Sequence, residues 1–395
     1  MYALSLDSSQ FASEAGLALG WSTQKALERY RQFFRTGASA GLESNLPAPI
    51  VRQLRDPSPE GEVLKFTQRV PALPDDAQRW RVITATSAAT RLSHFDSLET
   101  ESVLIPMIGR TGKPAYTLCV SSQVGCAMGC TFCETAQMGL IRSLTPGEIV
   151  GQWFAATYVL GIRPRNIVFM GMGEPLDNYD NVVQAISVLK DHNGAAVPIS
   201  KISVSTVGRL DGLRKLAHQL HQPGWHRLNL AVSINAAEDS LRSSLMPVNR
   251  SMPLADLQHA LMHWPVYGGG KLCFEYVLIP GVNDSREDAA HIGRLVRPID
   301  DHYRAVRAAV TPRVMLNVIP YNPRRDSPWP APEEDAVDRF LGWLTEETVY
   351  AKRRRTKGRR MMGACGQLGS EAIRGRRPVP LSVSAQATPN PAIAG

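Results

Sequence analysis

Three cysteines fall within eight residues, Cys126-Ala-Met-Gly-Cys130-Thr-Phe-Cys133, while Cys119, Cys273 and Cys365 stand apart from them. Thiolates spaced this closely, in a chain without a secretory leader, read as metal donors sooner than as disulfide partners. The number of donors narrows the chemistry. A structural zinc wants a fourth Cys or His nearby, whereas an iron–sulfur cluster held by three thiolates keeps one iron open to a non-protein ligand. The tight spacing and the aromatic Phe132 favour the cluster over a zinc loop or three buried small side chains.

Such a loop needs a rigid support. From Tyr116 onward the sequence alternates helical segments with short β-branched apolar runs: YTLCVS, NIVFMG, KISVST, LNLAVSI, LCFEYVLI and RVMLNVI. This spacing predicts β/α units on a parallel sheet, an α/β fold with a partial (β/α)6-type barrel. TVYAKRRRT reads as a seventh strand. Functional residues of such a barrel gather at the C-terminal ends of its strands, where the cysteine loop lies. Ahead of it, Ala26, Leu27, Tyr30, Phe33 and Phe34 recur at helical spacing behind a Ser22/Thr23 cap, and the Gly-, Pro- and Ser-broken stretch that follows reads as loops. The runs VLKFTQRV, WRVITATS and ESVLIPM predict a small β extension. The expected organisation is a helical module over 1–62, a β extension over 63–115, the barrel over 116–350, a C-terminal segment over 351–377, and a disordered tail over 378–395.

Length and composition agree with this architecture. At 395 residues, 44% hydrophobic and 20% charged, the chain can bury a large core, which excludes collagen, coiled coil and wholesale disorder. No apolar stretch reaches a membrane span and no leader precedes the first helix, so a cytoplasmic protein without a membrane partner is expected. The net charge of +8 is concentrated. Residues 352–377 hold ten basic side chains against the single acid Glu371, a charge of +9, so the rest of the chain sums to −1. One basic segment on a near-neutral body suggests a polyanionic partner, with a solubilising tail as the plain alternative.

The cysteine loop resembles the signature of the radical S-adenosylmethionine (SAM) superfamily, in which the open iron binds the amino and carboxylate groups of SAM. The likeness extends further. The segments Thr117 to Cys126 and Gly129 to Cys133, Leu144-Thr145, Gly147-Glu148-Ile149, Gly171-Met172-Gly173-Glu174-Pro175-Leu176, Glu275-Tyr276-Val277, Gly281-Val282-Asn283-Asp284 and Ala364-Cys365-Gly366-Gln367-Leu368 closely resemble the RlmN/Cfr family of radical SAM RNA methyltransferases. The resemblance covers about Glu101 to Leu368.

It implies a [4Fe-4S] cluster on Cys126, Cys130 and Cys133, and two SAM molecules per turnover. One methylates Cys365. The other is cleaved reductively, and its 5′-deoxyadenosyl radical takes hydrogen from that S-methyl group. The methylene radical then adds to an electrophilic adenine carbon, and Cys119 attacks the Cys365 sulfur to release the product through a transient disulfide. Glu101 matches the family's proton acceptor. Gly173, Glu174, Ser205, Ser233, Asn235 and Asn322 match its cofactor contacts. Taken singly, Cys119 and Cys273 would read as core thiols, Cys365 as a stray thiol and Glu101 as a solvated strand-edge acid; the joint match raises Cys119, Cys365 and Glu101. The chain departs from the family at Asn235, where His is usual, and at Arg359-Arg360-Met361-Met362, where acidic residues are common. The implied function is methylation of carbon 2 of an adenosine in large-subunit (23S) ribosomal RNA, with carbon 8 or transfer RNA as alternatives within the class, and electrons from a flavodoxin- or ferredoxin-type reductant. The alternative of another class is a non-catalytic iron–sulfur RNA-binding regulator, which would need neither Cys119 nor Cys365.

Overall fold

The computed structural model describes residues 2–38, 47–71, 97–109, 112, 114–265 and 272–369. One sheet organises them. Strands β1 (Ile50–Ser58), β2 (Gly61–Pro71), β3 (Ser97–Ile108) and β4 (Pro114–Cys119) pair antiparallel in that order. Beyond β4 lies a short hairpin of β5 (Gln123–Gly125) and β6 (Leu140–Ser143). The main sheet continues from β4 through β7 (Asn166–Phe169), β8 (Ile202–Thr206), β9 (Asn229–Ser233), β10 (Leu272–Leu278), β11 (Val314–Pro320) and β12 (Ala351–Arg353), all parallel. The six predicted runs and the seventh strand are all present.

Side-chain alternation explains how this sheet encloses a site. Leu118, Ile167, Phe169, Leu316 and Val318 are fully buried in the main core, while the alternate residues Thr117 and Cys119, Asn166 and Val168, and Asn317 and Ile319 line an interior cavity. That cavity touches every parallel strand, from Thr117 on β4 to Lys352 on β12. The sheet therefore curls around it, yet among the described residues β12 remains an edge, which makes a partial barrel. Cys273, expected in the core, shares the parity of Glu275 on β10; it is half-buried and its sulfur accepts from Asn317 Nδ2 at 3.1 Å.

Helices pack outside. They are α1 (Ser8–Leu19), α2 (Thr23–Thr36), α3 (Pro146–Phe154), α4 (Tyr179–Lys190), α5 (Leu210–Gln219), α6 (Asp239–Leu245), α7 (Leu254–Met262), α8 (Arg286–Arg307) and α9 (Glu334–Glu346). Ser22 caps α2 through the Lys25 amide, and α2 buries Ala26, Tyr30, Phe33 and Phe34 as its spacing predicts. Phe33 stacks on Phe154 of α3 at 5.0 Å, which fixes the N-terminal helices to the barrel's outer layer, away from the interior cavity. Helix α1, which the sequence did not single out, starts at a capping box between Asp7 and Gln10.

One expectation is corrected. The stretch read as loops contains β1, an edge strand pairing with β2. Most of its side chains are exposed, so it shows no alternating apolar pattern, and as an edge strand it tolerates Pro57. The run WRVITATS and the tail over 378–395 lie outside the described residues.

Candidate active site

The cysteine loop leaves β5 through Gly125, whose φ is +76° and where a Cβ would lie 1.8 Å from the Gly139 carbonyl oxygen, so only glycine fits. The loop is held at its start and in its middle. The Cys126 amide donates to the Gly139 oxygen at 2.9 Å, the Thr131 amide to the Leu245 oxygen at 3.0 Å, and Arg324 Nε to the Thr131 oxygen at 2.9 Å. Cys126, Cys130 and Cys133 all line one cavity, joined there by Cys365 from the C-terminal loop. Burial, followed by the neighbouring thiols, pushes Cys126 and Cys130 up; burial alone is the leading cause at Cys133. Soft donors raised in this way favour binding to a cationic centre, which removes the cost of leaving a thiolate bare. Among the described residues no three His, Cys, Asp or Glu side chains form a single-ion metal site.

Five of the six expected cofactor residues reach that same cavity: Gly173, Glu174, Ser205, Ser233 and Asn235. Each stands at or just beyond a strand's C-terminal end. A Cβ at Gly171 would meet the Val120 oxygen and Ser121 Oγ at 2.7 Å, and Gly173 has φ +98° with only 2.5 Å to Gln123 Cβ, so this turn keeps its backbone bare for close approach. The Glu174 carboxylate accepts from the Leu176 and Val207 amides, each at 2.9 Å. Burial pushes it up to about 7 in spite of those hydrogen bonds. Ser205 Oγ donates to Glu275 Oε2 at 3.4 Å. Asn235 sits at φ +54°, and its side-chain oxygen accepts from the Val277 amide at 2.9 Å while its backbone oxygen accepts from Asn283. The three thiols and the glycine cradle fit a cluster with an adjoining small-molecule site.

Asn322 lies elsewhere. It lines the larger cavity of about 750 Å³ inside the barrel, donating to the Cys365 carbonyl oxygen at 3.4 Å and accepting from Arg359 Nε at 3.1 Å. Cys119, the last residue of β4, lines this larger cavity as well, and Cys365 lines both. Burial pushes Cys119 up to about 12, with the neighbouring Cys365 adding to the shift and Arg354 opposing it. Cys365 is likewise raised by burial and lowered by Arg354.

Glu101 lines neither cavity. Its Oε1 pairs with Lys65 Nζ at 2.8 Å, and its Oε2 accepts from the Gly369 amide at 2.9 Å. Lys65 Nζ also donates to the Met362 oxygen at 2.9 Å. This buried pair grips the C-terminal loop on both sides of Cys365. From the cysteine loop, the Glu134 amide donates to the Gly366 oxygen at 2.7 Å and Thr135 Oγ1 to the Leu368 oxygen at 2.5 Å.

The basic segment is built into this architecture as far as residue 369. Lys352, Arg353, Arg354, Arg355 and Lys357 all line the larger cavity. Several are paired: Arg353 with Glu334 and Asp338, Lys357 with Glu60 at 3.2 Å, and Arg354 with Glu275 at 2.9 Å. Arg374, Arg376 and Arg377 lie outside the described residues. Sequence reasoning counted Arg354 only as one charge in a run, and quoted Glu275 without a role; their meeting depends on β12 aligning beside β11, and no local pattern signals it.

The Radical SAM superfamily pattern matches residues 120–292. The dual-specificity RNA methyltransferase RlmN of an Anaeromyxobacter species is 39% identical over 373 residues, 92% of this chain and 90% of that protein. RlmN of Syntrophotalea carbinolica is 41% identical over 302 residues, 74% of each chain. A solved radical SAM methyltransferase from Sphaerobacter thermophilus superposes with a TM-score of 0.74 at 30% identity, covering 93% of this chain and 98% of that one. With identity of this order along nine-tenths of its length, and with the superfamily's thiols gathered at one cavity, the chain belongs to the RlmN family of radical SAM proteins.

Proposed function

We propose that this enzyme methylates carbon 2 of an adenosine in large-subunit ribosomal RNA, with carbon 8 or a transfer RNA substrate as the alternative. The carrying observation is that Cys365 alone among the cysteines lines both the cofactor-side cavity and the larger cavity that holds Cys119. A thiol at that junction can take a group on one side and present it on the other. The RlmN relatives are named as dual-specificity RNA methyltransferases, which supports RNA as the substrate, and the cationic lining of the larger cavity suits a polyanion.

When bound, the cluster and SAM supply an electrophilic methyl group and a hydrogen-abstracting radical. The protein's own residues do the rest. Cys126, Cys130 and Cys133 hold the cluster, and Gly173, Glu174, Ser205, Ser233 and Asn235 seat the cofactor beside it, with Asn322 steadying Cys365. The Cys365 thiolate accepts the methyl group and, once tethered to the base, holds it in the larger cavity. Glu101 is matched by resemblance to the proton acceptor at the adenine carbon; in this arrangement it lies outside both cavities, paired with Lys65 and accepting from the Gly369 amide, so that it steadies the carrier loop. The Cys119 thiolate then attacks the Cys365 sulfur. Along with its proton the adduct would give up its one unpaired electron to the bound cluster, the counterpart of the electron taken in at reductive cleavage; the S–S bond then forms as the S–C bond breaks, the electron pair leaves with carbon, and carbon is protonated to methyl. A reductant of the flavodoxin or ferredoxin kind restores both thiols. Two SAM molecules are consumed per turnover, one for each role. A cytoplasmic setting suits reduced thiols and RNA, and among the described residues no helix is long and apolar enough to cross a membrane.

The two cysteines make opposite demands, which gives the test. Cys365→Ala should abolish both the methyl mass increment on its peptide and RNA methylation. Cys119→Ala should accumulate a covalent protein–RNA adduct, seen as a gel shift that RNase removes and carrying a modified adenosine at Cys365; the double variant should show none. Normal turnover by Cys119→Ala would refute the resolving step.

A further inference from the structure

Between the two cavities lies a wall made in part by Met170, Glu275, Ile319 and Cys365, each of which lines both. One polar chain crosses it. Ser205 Oγ, on the cofactor side, donates to Glu275 Oε2 at 3.4 Å, and Glu275 Oε1 accepts from Arg354 Nη1 at 2.9 Å. Arg354 Nη1 is also 3.4 Å from Met170 Sδ, and the Arg354 amide donates to the Val318 oxygen at 2.8 Å, which anchors the residue just past β12. Arg354 then lines the larger cavity together with Cys119 and Cys365.

This arrangement exceeds what a structural ion pair requires. Glu275 is 6% exposed, so its carboxylate needs a partner, and one hydrogen-bonded cation suffices. The same guanidinium nevertheless also faces the larger cavity that Cys119 and Cys365 line. It favours the thiolate form of both, whereas Glu275 disfavours it at both. Arg stays protonated at any physiological pH, so the cation is permanent.

We propose that Arg354, oriented by Glu275, is a positioning residue that holds Cys365 and Cys119 toward their thiolate forms, one cation serving the methyl-accepting and the resolving sulfur in turn. The role rests on the two-cysteine reading for its purpose, but thiol reactivity can be read without any RNA methylation.

The experiment measures alkylation of the full-length, anaerobically prepared protein by iodoacetamide across a pH series. Mass analysis quantifies the peptides of Cys119 and of the unmethylated fraction of Cys365 separately. Arg354→Met should slow both by about tenfold or more at a pH below the thiol range, the change in thiolate fraction for one unit of pKa. Arg354→Lys should restore most of the rate. Glu275→Gln removes the opposing charge and should speed both. That opposite sign is what a purely structural pair cannot give, since loosening the wall would move the two variants in the same direction. Unchanged rates in Arg354→Met, or rates that move the same way in Arg354→Met and Glu275→Gln, would overturn the proposal. If Arg354→Met does not fold, Arg354→Gln replaces it and the criterion is unchanged: slower alkylation there with faster alkylation in Glu275→Gln supports the role, and any other combination refutes it. A shift in reactivity in a protein that forms no RNA adduct would leave Arg354's role standing while refuting the two-cysteine function.

Discussion

The cofactor-side cavity takes most of its walls from strand ends and the single loop that follows β5: Cys126, Cys130 and Cys133, then Gly173 and Glu174 after β7, Ser205 on β8, and Ser233 on β9, with Cys365, Gly366 and Leu368 of the C-terminal loop completing it. The larger cavity is closed differently. Its residues Lys352 to Leu368 come from the end of the chain, and buried pairs such as Lys65–Glu101, 36 positions apart, hold that segment against the β2–β3 extension. The first cavity is thus a product of β/α periodicity, which delivers a loop at every strand end. The second is a product of long-range electrostatics. A site assembled in the first way survives loss of any one distant contact, whereas the second depends on a few charge pairs whose desolvation has already been paid.

The largest effect should come from breaking the first cavity alone. Cys130→Ala should drop reconstituted iron from about four per chain to near zero and abolish release of 5′-deoxyadenosine, while Cys119 alkylation stays as in the parent protein. Stoichiometric zinc in the parent, with no 5′-deoxyadenosine released, would reverse the cluster reading instead.

Loosening the second cavity should cost stability. Lys65→Met leaves Glu101 buried without its cation and should lower unfolding free energy by about 3–5 kcal/mol, with protease cleavage appearing between Met362 and Gly369. Glu101→Gln in the same background should recover part of the loss, because the unpaired charge is gone. Additive losses in denaturant titrations of the two singles and the double would mean that the pair does not grip the loop.

A smaller effect is expected at the rim. Lys352 is exposed, lines the larger cavity and lies over the Tyr350 ring at 5.5 Å. Lys352→Glu should weaken RNA binding across sequences and lower the slope of log affinity against log salt by about 1, without touching iron content. An unchanged slope would assign the rim cations to folding alone.

Legibility in the sequence follows the same division. Glycines at Gly171 and Gly173, the three clustered thiols and the six apolar runs are local signals, each set by backbone conformation, ligand spacing or side-chain period within a few residues. Helix α1 and the edge strand β1 were less readable: α1 depended on a capping box, and β1 is too exposed to show alternation. Cys119 and Cys365 drew notice only through resemblance, since a lone thiol on a strand and another in a loop carry no pattern of their own.

What the sequence determined by itself is the chemistry available: three thiolates for a cluster, a bare-backbone turn for a cofactor, two further thiols, and a basic segment near the end. Only the tertiary structure decided that Cys365 stands where the two cavities meet, that Glu101 faces Lys65 and the Gly369 amide, and that Arg354 of the basic run pairs with Glu275 beside two cysteines. The reason is physical. Donor spacing and glycine tolerance are fixed by covalent geometry over a few bonds, whereas a charge finds its partner through burial. Burial depends on which strands lie side by side, as β12 lies against β11 and β3 against β2.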